Sequence, residues 1–246
     1  MSGIHPSPAP EFVIEARGLR KQFGMLEALR GINLTLRQGE FLTIFGPNGA
    51  GKTTLIRIMA SLTRPTTGSV RVAGFDVTDG NPALRREIGV ISHATFLYAD
   101  LTALENLVFF ARIYSLREPE SRALQALEGV ELAARRHDKV RTFSRGMVQR
   151  VSIARALLHD PSILFLDEPY TGLDQHASLL LERHLRTLHT EKRTVVMTTH
   201  DFARGLELCD RVAIQVRGRF AYLQARPAGS PQAFERLYVE TVEKAT

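Results

Sequence analysis

The segment Gly46-Pro47-Asn48-Gly49-Ala50-Gly51-Lys52-Thr53 has the spacing G-x-x-x-x-G-K-[ST], that of a loop built to hold phosphate. Its glycines let backbone N–H groups curl round an anion without Cβ clashes, and a helix opening at Thr54 adds its dipole. In such a loop Lys52 reaches the β- and γ-phosphates of a nucleotide, and the Thr53 hydroxyl ligates Mg²⁺. A second pair, Asp167-Glu168, closes an apolar run. A carboxylate at the C-terminal end of a parallel strand stands where α/β sheets bind ligands. Asp167 is therefore expected to hold the Mg²⁺ shell, and the neighbouring Glu168 to polarise water as a general base. His200 follows another apolar run, Val195-Val196-Met197-Thr198-Thr199, and a contact to the γ-phosphate is the expected role. Ser144-Arg145-Gly146 opens a helix, where one Ser both caps and offers an anion site. Phe23 is either core or a platform for a nucleobase; its type leaves both open.

These residues need elements to hold them. Residues 11–45 alternate like antiparallel strands, with Ile32, Leu34 and Leu36 on one face, and Arg37-Gln38-Gly39-Glu40 turning into the strand Phe41–Phe45. Short strands are expected at Ser69–Ala73 and Ile88–Ser92. From about 101 to 160 the pattern becomes helical. Thr102-x-x-Glu105 is a capping box, Pro119 opens a second helix, and a third runs from near Ser144 until Asp160-Pro161 stops it. The runs Ile163–Asp167 and Thr194–Thr198, separated by a helix over about 175–190, imply a parallel sheet covered on both faces. A hairpin around Gly218 closes the pattern.

The chain has 246 residues, 44% hydrophobic and 24% charged, ordinary for a globular protein. It has no apolar run of about 18 residues, the length that would suggest a membrane span. Residues 1–10 lack the charge and apolar pattern of a signal peptide and are expected to be a disordered lead-in. A single cysteine, Cys209, excludes an intrachain disulfide and a cysteine metal cluster; the default location is reducing and cytoplasmic. The net charge of +6 is spread without a block of like charges, so nucleic-acid binding is not expected.

Taken in order, these pieces resemble the ATP-binding cassette (ABC) family from about Glu11 to Tyr222. Phe23 matches its aromatic A-loop, Gly46 to Thr54 its Walker A motif, and Phe143-Ser144-Arg145-Gly146-Met147 its signature. Ile163 to Pro169 matches Walker B with the following Glu, Gly172-Leu173-Asp174 the D-loop, and His200 the switch histidine. The resemblance implies a P-loop NTPase core with a parallel sheet, an N-terminal antiparallel β-subdomain and an inserted helical subdomain at about 100–160. The ATP-binding domain would span 11–225, and 226–246 would form a helical tail. It further implies ATP and Mg²⁺ as ligands and head-to-tail pairing of two cassettes. Each ATP would then lie between the P-loop of one chain and Ser144, Arg145 and Gly146 of the other, with Asp174 nearby. It also implies integral membrane subunits as partners, with this chain peripheral on the inner face of the membrane.

Two motifs depart from the family pattern. The signature reads Ser144-Arg145-Gly146-Met147 rather than Ser-Gly-Gly-Gln, and Arg145, in place of a Gly, adds a cation near the phosphate. His93 falls where the family has a Q-loop Gln, whose carbonyl oxygen suits Mg²⁺ better than an imidazole nitrogen does; His93 is expected to act on the metal through water or to couple to a partner. His93, followed by Leu101-Thr102-Ala103-Leu104-Glu105-Asn106, is similar to the ATPase of the cytochrome c maturation (haem exporter) branch. The alternatives are the ATPase of another exporter, of drugs or other substrates, and a non-transport ABC machine. No pair of histidines beside a cysteine offers a haem site.

Overall fold

The computed structural model describes residues 11–245; the expected lead-in, 1–10, lies outside them. Two sheets form the core. Strands β1 (Ile14–Phe23), β2 (Leu26–Leu36), β4 (Thr67–Val72) and β5 (Phe75–Asp76) make a 4-stranded sheet in the order β2-β1-β4-β5, antiparallel throughout. Strands β3 (Phe41–Phe45), β6 (Ile88–Ile91), β7 (Ile163–Asp167), β8 (Thr194–Thr198), β9 (Arg211–Val216) and β10 (Arg219–Ala225) make a 6-stranded sheet, ordered β10-β9-β3-β8-β7-β6. Every pairing in it is parallel except β9 with β10. β3, β7 and β8 are buried along their whole length, as continuous apolar runs in a sheet covered on both faces should be.

Because side chains alternate across a strand, each central strand feeds two cores. Leu42, Ile44, Ile163 and Phe165 join Ile14, Leu19, Ile32 and Leu34 of the antiparallel sheet, with Leu55 and Ile56 of helix α1 (Lys52–Met59). Phe41, Phe45, Leu164 and Leu166 face the other way. There they meet α3 (Ala103–Ile113), α4 (Pro119–Gly129), α5 (Arg145–Leu157) and α6 (Gln175–Thr190) through residues such as Leu107, Leu127, Val151 and Leu181. Local chemistry sets the helix ends. Thr102 and Glu105 exchange both capping-box bonds at α3, Pro119 stands in the first turn of α4, and the Ser144 hydroxyl caps α5 by accepting from Met147 N.

The structure adds elements that the patterns do not announce: α2 (Pro82–Glu87), α7 (Phe202–Glu207) and the minimal strand β5. Each is short, so its periodicity is too brief to read. The strand expected at Ser69–Ala73 begins at Thr67 and stops at Val72, because Ala73 turns away with φ of 50°. The last helix, α8 (Pro231–Ala245), does not trail free. Phe234 is 2% exposed, and its ring lies 4.9 Å from Phe45 and 5.7 Å from Phe202.

Candidate active site

The phosphate loop joins β3 to α1 and is tied down from below. Gly46 has φ of 154°, and a Cβ there would stand 2.1 Å from the Gln215 carbonyl of β9, so no side chain fits. The Gln215 side chain is fully buried and donates through Nε2 to Ala50 O at 3.0 Å, while Gly218 N donates to the same carbonyl at 3.0 Å. Lys52 curls back, its Nζ donating to Gly46 O at 2.6 Å and Pro47 O at 3.2 Å. Its ammonium is largely buried. Burial lowers its pKa, opposed by the negative charges of Glu168 and Asp167. Asn48, Gly49, Ala50, Gly51, Lys52, Thr53 and Thr54 line a cleft of about 540 Å³.

At the strand ends, Asp167 is 2% exposed. Its Oδ1 accepts from the Thr53 hydroxyl at 3.1 Å and from the Thr198 hydroxyl at 2.7 Å. The same Thr198 hydroxyl accepts from Glu168 N at 3.2 Å. Glu168 has φ of 50°, a left-handed backbone that a non-glycine residue holds only under constraint. That turn sends its carboxylate to the cleft, where Oε2 lies 2.8 Å from His200 Nδ1. His200 is otherwise exposed. The oxygens of Thr53 and Asp167 are a hard-donor set of the kind Mg²⁺ takes alongside phosphate oxygens, so the residues present fit that ion. Thr198 was not singled out by the sequence, although its place at the end of a third buried strand is the signal that could have found it. Gln215 had a signal too: a polar residue inside the apolar run Val212–Val216.

Phe23 resolves toward the cleft rather than the core. It is 50% exposed, lines the cleft beside Leu26, and has Lys21 Nζ 4.7 Å above its ring. Arg30 and Arg217 line the same cleft and were missed by the sequence, since β2 and the β9–β10 turn reach it only through the fold. His93 borders the cleft but makes no hydrogen bond with the described residues, to Thr53 and Asp167 or to any other. Ser144, Arg145, Gly146 and Asp174 do not line the cleft of their own chain. They gather at the start of α5 and α6. Asp174 caps α6 by accepting from Ala177 N at 2.7 Å, and a Cβ on Gly146 would stand 3.2 Å from its Oδ2. The Arg145 side chain folds over Gly172 of the same chain. The expected cation beside a phosphate is thus parked, within one chain, on its own D-loop turn.

A parallel sheet with a glycine-rich phosphate loop after β3, backed by Asp167 and Glu168 at the end of β7, defines a P-loop NTPase. The ABC transporter family model matches residues 29–171. The chain is 36% identical over 216 residues to "Nod factor export ATP-binding protein I" of Cupriavidus pinatubonensis (strain JMP 134 / LMG 1197), covering 87% of this chain and 66% of that one. It is 35% identical over 208 residues to "Linearmycin resistance ATP-binding protein LnrL" of Bacillus subtilis (strain 168), covering 84% and 67%. With "ABC transporter ATP-binding protein NatA" of the same strain it shares 38% identity over 203 residues, 80% of this chain and 82% of that one. Among solved structures it is similar to the dimeric post-hydrolysis state of the ATP-binding cassette MJ0796 bound to ADP and Pi. That match has a TM-score of 0.80 and 30% identity over 88% of this chain and 100% of that one. A second, "Structure of ATP binding subunit of ABC transporter", gives a TM-score of 0.84 with 29% identity over 93% and 99%. The chain belongs to the ABC transporter family, as one of its ATPase cassettes. It spans just under two thirds of the length of the Nod factor relatives, 66% and 65%.

Proposed function

We propose that this chain is the ATP-hydrolysing cassette of a membrane exporter. The single observation that carries the reading is the bonded set Thr53–Asp167–Thr198–Glu168–His200 at the mouth of the phosphate loop. Phe23 stacks on the base, residues 46–54 wrap the phosphates, and Lys52 leaves its carbonyl partners for the γ-phosphate. Mg²⁺, held by Thr53 and through water by Asp167, would neutralise phosphate charge. Glu168 takes a proton from the attacking water, while His200 orients that carboxylate and braces the γ-phosphate. The chemistry is mainly positioning and charge stabilisation, as in phosphoryl transfer generally. Ser144, Gly146 and Asp174, which lie off their own cleft, would complete the site of a second cassette, whereas Arg145 turns back onto Gly172 of its own chain.

No described helix is long and apolar enough to cross a membrane; our reading pairs the cassette with integral membrane subunits at the inner membrane face. The domain spans 11–225, with 100–160 as its helical arm and 226–246 as a helical tail. Between core and arm, Phe96 (40% exposed) and Tyr98 (52% exposed) present rings with Leu97 between them. A membrane subunit would dock there, beside His93. Of the three relatives reported above one carries an export name and one a resistance name, and none names haem, which supports an exporter of another cargo over the haem branch. His93 and the Leu101–Asn106 segment favour haem export as a second reading. Purification of the tagged chain with its native membrane partners separates the two. Partners of an exporter of drugs or another substrate without haem support the first, and a haem-bearing complex supports the second. Loss of partner-stimulated ATPase in His93→Ala, with rescue in His93→Gln, is expected if His93 couples the two; equal stimulation in all three proteins removes that role.

A further inference from the structure

Two of the positions that depart from the family pattern, one in each motif, meet in space. His93 and Arg145 line one cavity of about 120 Å³ with Ser92, Thr95, Gln149 and Glu168. Its volume is that of about four water molecules at ~30 Å³ each, and so of one tetrahedral oxyanion. Glu168 and His93 also line the nucleotide cleft, and no other residue lines both spaces. The two side chains are therefore the partition between cleft and chamber. Arg145 is held toward the chamber because Gly172 opposite has no side chain. A Cβ there would be 2.4 Å from Arg145 Nε and 2.6 Å from Cζ. Neither Arg145 nor His93 makes a hydrogen bond or ion pair with the described residues, and Gln149 likewise leaves its amide unused. Three nitrogen-bearing side chains and the hydroxyl residues Ser92, Thr95 and Thr171 thus line a space that opens beside the general base.

We propose that this chamber is a subsite for the inorganic phosphate product, entered from the cleft past Glu168 and His93, with Arg145 as its cation. The inference rests on the ATPase reading above. In hydrolysis the water oxygen bonds to the γ-phosphorus, and the bond from that phosphorus to the β–γ bridging oxygen breaks with its electron pair leaving on ADP. The water's proton passes to Glu168. A guanidinium suits a phosphate through two parallel N–H donors, which the family's Gly at this position cannot offer.

Product inhibition of steady-state ATP hydrolysis tests this in the wild type, Arg145→Gly, Arg145→Lys, His93→Gln and the double variant Arg145→Gly/His93→Gln. The inhibition constants for inorganic phosphate and for ADP are measured separately. Arg145→Gly should raise the phosphate constant about tenfold, the weight of one charge-assisted contact, while the ADP constant stays put. Arg145→Lys should fall between. The double variant should lose less than the product of the single effects, since both groups serve one ligand. An unchanged phosphate constant in Arg145→Gly and Arg145→Lys, or equal shifts for phosphate and ADP, overturns the subsite. A wild type that does not hydrolyse ATP sinks the ATPase reading instead. The subsite is then decided by calorimetric titration of the ADP-loaded protein with inorganic phosphate, where equal affinity in wild type and Arg145→Gly overturns it.

Discussion

Lys52 shows how one side chain can be kept ready. Its ammonium is bonded to two loop carbonyls and largely buried, so it meets a phosphate already desolvated and aimed. Lys52→Ala should lower kcat/KM roughly 100-fold or more; a loss under tenfold in steady-state assays would contradict that role. Thr198 makes a subtler case, because one hydroxyl touches both Asp167 and the Glu168 backbone. Thr198→Val should cut kcat about tenfold with KM for ATP little changed, and Thr198→Ser should restore it. Equal kcat in wild type and Thr198→Val would reduce Thr198 to packing. His159 is a partly buried histidine with no part in the site. It stacks on Tyr114 at 3.9 Å between ring centroids and its Nε2 bonds Ile88 O at 3.0 Å. Burial pushes its pKa down from 6.5 to about 4, aided by Arg155 and opposed by that hydrogen bond and by Asp160 and Glu87. Between those pH values the unfolded chain holds a proton that the folded chain does not, so stability falls as pH drops through that window. His159→Phe should flatten the fall by about 2 kcal/mol, allowing for part exposure, with a residual slope left by His184, which burial also lowers. Chemical unfolding at a series of pH values reads this directly; an unchanged slope would count against it.

Among elements, the strands that end in chemistry were the most legible. β3, β7 and β8 are apolar runs that stop at Gly46, Asp167 and His200, and buried strands of this kind have few other places to go. The capping box of α3 and the Pro119 start of α4 were equally readable, because one or two residues decide them. What sequence could not give was contact across the fold. Nothing local says that Gln215 underlies the phosphate loop, or that the Arg145 side chain rests on Gly172. The role of α8 is another such contact. Phe234 packs on Phe45, the residue before the phosphate loop, and on Phe202, two residues after His200; Tyr238 adds a ring 5.1 Å from Phe202. Gly205 of α7 closes the group, since a Cβ there would be 2.5 Å from the Phe45 ring. Phe234→Ala should cost about 3–5 kcal/mol in stability and lower kcat under conditions where the protein remains folded. Phe234→Leu should recover most of both. Unaltered kcat in a folded Phe234→Ala protein would make α8 a passenger.

At the scale of the molecule, our reading gives one chain two half-sites. The cleft carries Phe23, the phosphate loop and Glu168 with His200 bonded to it, whereas Ser144 and Gly146 on the helical arm and Asp174 at the start of α6 do not line it. A second cassette is the natural complement of each half, and in our account hydrolysis is the act of two chains. The central claim is that Glu168 is the base of that shared reaction. The most direct measurement is ATP turnover and molecular mass of the purified chain with Mg²⁺ and ATP, wild type against Glu168→Gln. The account predicts turnover by the wild type, and a Glu168→Gln protein that binds ATP, accumulates as a dimer and hydrolyses at under about one hundredth of the wild-type rate. Turnover by Glu168→Gln at the wild-type rate would contradict it.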